Sequence, residues 1–174
     1  MSKKKIVIEP DPILRKKSQT IEKVDNELRI LMDDMLETMY AAPGIGLAAV
    51  QIGILKKLIV IDLSKDETKK KPLFFVNPKI TFQSKKTSVY EEGCLSLPGQ
   101  FAEIERPAEC HVNYIDYYGK NQELKANGLL ATCIQHEIDH LNGILFIDYL
   151  SKLKKDMIIK KLTKRKKEIN KIAL

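Results

Sequence analysis

A chain of 174 residues with 44% hydrophobic side chains is sized for one globular domain with its own core, and no apolar run approaches the ~20 residues a membrane-spanning helix needs. Three cysteines, an odd number, do not make a disulfide framework and point instead to thiols kept reduced in a cytoplasm, free to react or bind metal. The net charge of +7 is uneven: residues 151–174 hold ten Lys or Arg against two Asp or Glu, while the other 150 residues hold 20 against 21.

In chain order, the lysines at 3–5 resemble the start of an export signal, but Glu9, Pro10 and Asp11 cut off any apolar core, so none is read. Residues 25–40 carry Leu28, Leu31, Met32, Met35 and Met39 at the spacing of one helical face, with Asp25 as N-cap. Pro43-Gly44 ends that helix, and a run of small residues follows to Gln51, where a backbone can come close to something else. Leu58–Leu63 reads as a buried strand. Leu73–Val76, Lys79–Phe82 and Thr87–Glu91 are shorter candidates, and Ala108–Tyr118 pairs back on Gln122–Ala126 as a hairpin. A second helix spans 128–142 and stops at Asn142-Gly143. The basic tail, 151–174, is a third helix, with Leu150, Leu153 and Met157 as an apolar stripe continued by Leu162, Ile169 and Ile172. Strands do not alternate with helices. The expectation is an α+β fold: mostly antiparallel strands around a central helix, an N-terminal helix and a basic C-terminal helix, in a single catalytic domain over 1–174.

The central helix reads His136-Glu137-Ile138-Asp139-His140. Positions i and i+4 share one helical face, so both imidazoles can aim at one metal ion while Glu137 reaches a water there. The surrounding Leu129, Leu130, Cys133, Ile134 and Leu141 are apolar enough to bury the motif, and buried polar groups need a partner. A catalytic site takes a third protein ligand and leaves one position open. His111, in a strand without a partner motif, reads as structural, so that ligand is a carboxylate or a thiolate. Cys94 is the best candidate, at an abrupt strand end between Gly93 and Pro98. Cys133, three residues before His136, competes in principle but reads better as a small apolar neighbour; Cys110 reads as core. Asp139 either orients a ligand histidine or is an ordinary helix charge.

Three blocks, Gly44-Ile45-Gly46-Leu47-Ala48-Ala49-Val50-Gln51, Glu92-Gly93-Cys94-Leu95-Ser96 and Gln135-His136-Glu137-Ile138-Asp139-His140-Leu141, resemble the peptide deformylase family in order and spacing. The resemblance implies that Cys94, His136 and His140 hold the metal and that Glu137 is the general acid and base. It implies that Gln51 and the Leu95 amide hold the oxyanion. Gly46 and Gly93 would meet the substrate, with Ile45, Leu129 and Cys133 lining a methionine pocket. Glu92 and Arg106 match a pair that supports the Cys94 loop. Pro43, Tyr90 and Phe101 depart from the side chains common in relatives, the latter two near the expected cleft.

Cys-His-His suits zinc and ferrous iron alike. The resemblance implies Fe2+ in the cell, with Zn2+, Ni2+ or Co2+ as substitutes, and N-formylmethionyl nascent peptides as substrates. The basic tail suggests an anionic partner, with ribosome contact the expectation, or else a solvated helix. Rival readings are a zinc metalloendopeptidase, which would need a ligand downstream of His140, and a non-catalytic metal-stabilised RNA- or ribosome-binding protein.

Overall fold

A computed structural model describes residues 2–172. In chain order its elements are α1 (Asn26–Ala41), β1 (Gly46–Ala48), β2 (Leu58–Ile61), β3 (Leu73–Gln83), β4 (Thr87–Cys94), β5 (Leu97–Pro107), β6 (Glu109–Ile115), β7 (Asn121–Asn127), α2 (Gly128–Leu141) and α3 (Lys152–Ile172), with short 3-10 turns between. Asp25 starts α1 by accepting the Leu28 amide at 2.9 Å, which satisfies one of the helix's free first-turn N–H groups. The methionine face of α1 then buries against Leu47, Leu58 and Val60. An antiparallel sheet runs in the order β1-β2-β3-β6-β7, and β4 pairs with β5 as a separate two-stranded ribbon. This is the α+β arrangement that the strand pattern suggested. α2 lies between the two sheets and packs against both, so residues on its face are held by two independent walls.

Several expected elements change shape. Leu73–Val76 and Lys79–Phe82 are one strand, β3, with a register shift between Val76 and Lys79 where Asn77 adopts φ 51°. Asn tolerates that left-handed conformation, and its side chain grips the Ile21 backbone through two 2.8 Å hydrogen bonds. β5 was not anticipated, because Pro98-Gly99 reads as a breaker; here both sit at its start, beside the two-residue turn at Leu95-Ser96. The tail packs through only part of the expected stripe, Leu150 and Leu162, with Ile158 and Ile159 in place of Leu153 and Met157. Leu162 is 1% exposed and Ile158 and Ile159 pack with it, whereas Leu153 is 72% and Met157 51% exposed. The helix is anchored by Ile158 and Leu162, an i, i+4 pair, with Ile159 beside them. Ile169 is exposed too; the Ile172 side chain and residues 173–174 lie outside the described residues.

Candidate active site

α2 brings His136, Glu137 and His140 to one buried face, and the end of β4 brings Cys94 to meet them. Single ligand atoms of Cys94, His136 and His140 all lie within 4.8 Å of one another, with Cys94 Sγ 3.3 Å from His140 Nε2. Cys133 and His111 are not in this group. Burial pushes the Cys133 thiol up to about 12, helped by the nearby Glu137 and Glu92 carboxylates, so it stays protonated and packs as a small apolar side chain. His111 stacks on Phe82, ring centroids 4.6 Å apart, in the pairing of β3 with β6.

The two histidines are shifted in opposite directions by their surroundings. His136 Nδ1 donates to Glu92 Oε2 at 2.8 Å, leaving Nε2 for a metal. Burial opposes charge on His136, yet its contacts with Cys94 and Glu92 outweigh that and raise its pKa well above the usual. Burial depresses His140 well below the usual value, and the nearby His136 and Arg106 charges add to this, so its ring is a free base. The chemistry of the set, one thiol and two imidazoles converging from a helix and a strand end, fits a four-coordinate divalent ion with one open position.

Glu92 is itself fixed. Arg106 grips it bidentately, Nε to Oε1 at 2.6 Å and Nη2 to Oε2 at 3.0 Å, with both side chains buried. Arg106 Nη1 also donates to Asp139 Oδ2 at 2.8 Å, and Tyr149 Oη donates to the same oxygen at 2.7 Å. Asp139 therefore acts on Arg106 and touches neither histidine ligand, which corrects one of the two readings held for it. Tyr149, and Phe146 whose ring stacks on His136 at 6.3 Å, had no motif to reveal them.

Gln51 sits across from the ligands. Its Oε1 accepts the Ala48 amide at 2.8 Å, and since that partner is a donor, the amide orientation is fixed. Nε2 must then face the site, 3.1 Å from Ser96 Oγ and 3.3 Å from Cys94 Sγ. The N-terminal segment backs this wall: the Val7 amide donates to Gln51 O and the Glu9 amide to Ser96 O. Glu137 faces Gly46 on β1, an edge strand, and its Oε2 is buried without a hydrogen-bond partner. Burial pushes Glu137 up to about 7; the His136 charge pulls the other way and Glu92 adds to the rise. A carboxyl of that pKa exchanges a proton readily near neutrality.

These groups line a cleft of about 380 Å³. Gly46, Gly93 and Leu95 lie on its walls, and Ile45, Leu129 and Cys133 supply an apolar corner. The structure thus places the expected site residues on the lining of one cleft, except His140, which joins them through the ligand cluster. Tyr90 and Phe101 line it as well.

A family model described as polypeptide deformylase matches residues 3–156. A peptide deformylase of Pelagibacter ubique is 68% identical over 95% of this chain and 96% of its own, and one of Rhizobium meliloti is 59% identical over 96% of each. Among solved structures, a peptide deformylase from Ehrlichia chaffeensis superposes with TM-score 0.91 at 44% identity, covering 96% of this chain and 98% of that one. The same enzyme in complex with actinonin gives TM-score 0.89 at 47% identity, over 95% and 98%.

Proposed function

The chain belongs to the peptide deformylase family and removes the N-formyl group from new polypeptides, and we propose that Cys94, His136 and His140 hold the single divalent metal ion of that reaction while Glu137 moves its protons. The observation that carries this reading is the convergence of three ligand atoms from two elements beside a buried carboxyl with no other partner. The ion is Fe2+ in the cell, with Zn2+, Ni2+ or Co2+ as working substitutes, since a thiolate with two imidazoles suits all of them. The 1–174 chain acts as a single catalytic domain.

An ion in this site supplies Lewis acidity, which makes water a better nucleophile near neutral pH. The residues do the rest. Glu137 accepts a proton from the attacking water and returns it to the departing amine, a role its raised pKa suits. Gln51 Nε2 and the Leu95 amide donate to the oxygen that becomes negative; one such donor is typically worth about 3–4 kcal/mol. Ile45, Leu129 and Cys133 receive the methionine side chain. Gly46 and Gly93 let the peptide backbone approach. Glu92, clamped by Arg106, keeps His136 in the tautomer that ligates. Products are formate and a free amino terminus.

Substrates of this kind are made in the cytoplasm, where we place the enzyme; no described helix is long and apolar enough to cross a membrane. The charge of the tail favours contact with the ribosome. Because Leu162 is buried and Arg165 Nη1 reaches Pro98 O at 3.5 Å, deleting residues 160–174 would disturb the hairpin that carries Cys94. Replacing exposed Lys164, Lys166 and Lys167 by Gln tests docking more cleanly: co-sedimentation with ribosomes should fall. Equal sedimentation would leave the tail a solvated helix.

The catalytic reading is tested by assaying formyl-methionyl against unformylated peptides, with metal analysis in parallel. Glu137→Gln should keep the metal and lose about 10²–10⁴-fold in turnover. Near-normal turnover of a metal-loaded variant would remove Glu137 from the mechanism. An endopeptidase needs its third ligand downstream of His140; the cluster takes it from Cys94, upstream.

A further inference from the structure

α3 leaves part of its apolar surface uncovered next to the catalytic hairpin. A groove of about 450 Å³ runs between β5 and α3, with Phe101, Leu150, Met157 and Ile158 as its apolar lining. Lys154 and Lys161 stand on the helix side against Glu103 on the strand side, so the groove is net positive. Gln100 and Phe101 line both this groove and the substrate cleft, so the two adjoin across the β5 rim. Phe101 is 64% exposed at that junction, paired across the hairpin with Gly93, where a Cβ would come 2.5 Å from its ring. The absence of a side chain at Gly93 is what lets an aromatic ring lie down on the hairpin and offer its other face outward.

A new polypeptide is longer than a 380 Å³ cleft can enclose, so its later residues must leave over a rim. We propose that the β5–α3 groove is an extension of the substrate site, taking downstream residues of the formylated peptide and favouring apolar and then acidic side chains. This rests on the deformylase reading given above. The shared rim at Gln100 and Phe101 supplies the path, the apolar lining supplies contact area, and the lysine pair supplies the charge preference.

The test uses isolated peptides without ribosomes, so tail–ribosome contacts cannot contribute. kcat/KM is measured for formyl-Met-Ala and for formyl-Met peptides of roughly eight residues, spanning ~3.3 Å per extended residue, with Leu and then either Glu or Lys downstream. Wild-type, Lys154→Glu/Lys161→Glu and Met157→Asp enzymes are compared; all three positions are exposed. All should hydrolyse formyl-Met-Ala alike. Wild-type should prefer the Glu peptide over the Lys peptide by about three- to tenfold, a preference that shrinks at about 0.5 M salt. The double charge reversal should invert it, and Met157→Asp should lower the gain from peptide length. Identical ranking of the long peptides by all three enzymes would overturn the groove while leaving deformylation intact. Failure of the metal-loaded wild-type on formyl-Met-Ala would overturn the deformylase reading, and the groove with it.

Discussion

Gly46 lies so close to Glu137 that a Cβ at residue 46 would overlap Glu137 Oε1. The edge strand and the helix therefore meet with a hydrogen atom's clearance at the point where a proton must be passed. The small-residue run around Gly46 is a requirement of the carboxylate's position as well as of substrate approach.

Gly46→Ala is the direct consequence. The added methyl must push the Glu137 carboxyl out of line, and a displacement of about 1 Å at a reacting group can cost ~10²-fold in rate. Metal content should be unchanged, because Gly46 touches no ligand atom among the contacts its Cβ would make. Wild-type kcat/KM in a metal-replete Gly46→Ala enzyme would show that the carboxyl has room to adjust.

The three cysteines should separate cleanly. Cys94→Ala should lose metal or bind it weakly, since it removes one of three converging ligands. Cys110→Ala and Cys133→Ala should retain one equivalent, because burial holds both thiols up, to about 11 and about 12. Metal stoichiometry by elemental analysis decides the matter, and loss from Cys133→Ala with retention in Cys94→Ala would reverse the assignment.

How far this site could be read beforehand follows from which residues lie in local patterns. His136, Glu137 and His140 share one helix face, so spacing alone brings them together. The α1 face and its Asp25 cap are equally local. Cys94 meets them only where the end of the β4–β5 hairpin packs on α2, a contact with His140 across 46 positions of sequence, and no periodicity encodes it. β5 hid for a related reason: Pro98-Gly99 locally signals a stop, and the hairpin overrides that signal. The tail shows the opposite failure. Its Leu153 and Met157 suit a packed stripe as well as Ile158 and Leu162 do, and only the position of β5 and the Leu145–Ile147 segment decides which side is covered. Tyr149 and Phe146 support the site from a 3-10 turn, which has no apolar period to read.

Arg106 gives a stability prediction coupled to the metal. It is 4% exposed, paired to Glu92 and Asp139, and lies over the Tyr149 ring at 4.7 Å. Arg106→Met leaves the buried Glu92 carboxylate without its main counter-charge; breaking such a pair typically costs about 3–5 kcal/mol. It also frees His136's partner to turn, which should weaken metal binding by roughly 10–100-fold. Arg106→Lys should recover little of either, because an ammonium cannot reproduce the bidentate grip. Urea unfolding with and without metal, beside a metal titration, reads both effects; a Lys variant equal to wild-type would show that charge alone suffices.

Asp148 predicts how stability depends on acid away from the catalytic centre. Burial raises its pKa, but the Lys155 ammonium, the Leu145 amide and the Arg15 charge outweigh burial and hold the carboxyl below its usual value. A carboxyl depressed in the folded state contributes stability above its unfolded pKa of about 3.9, and that contribution is lost as pH falls through the lower folded value. Asp148→Asn should therefore be less stable than wild-type at pH 7 by about 1 kcal/mol, since the network is partly open to solvent. The gap should close as the pH is taken below about 4, because protonation removes from wild-type the charge that the substitution has already removed. Unfolding free energies measured from pH 7 downward give the answer, and a gap that persists unchanged in acid would mean that Asp148 acts through packing and the Leu145 hydrogen bond rather than through its charge.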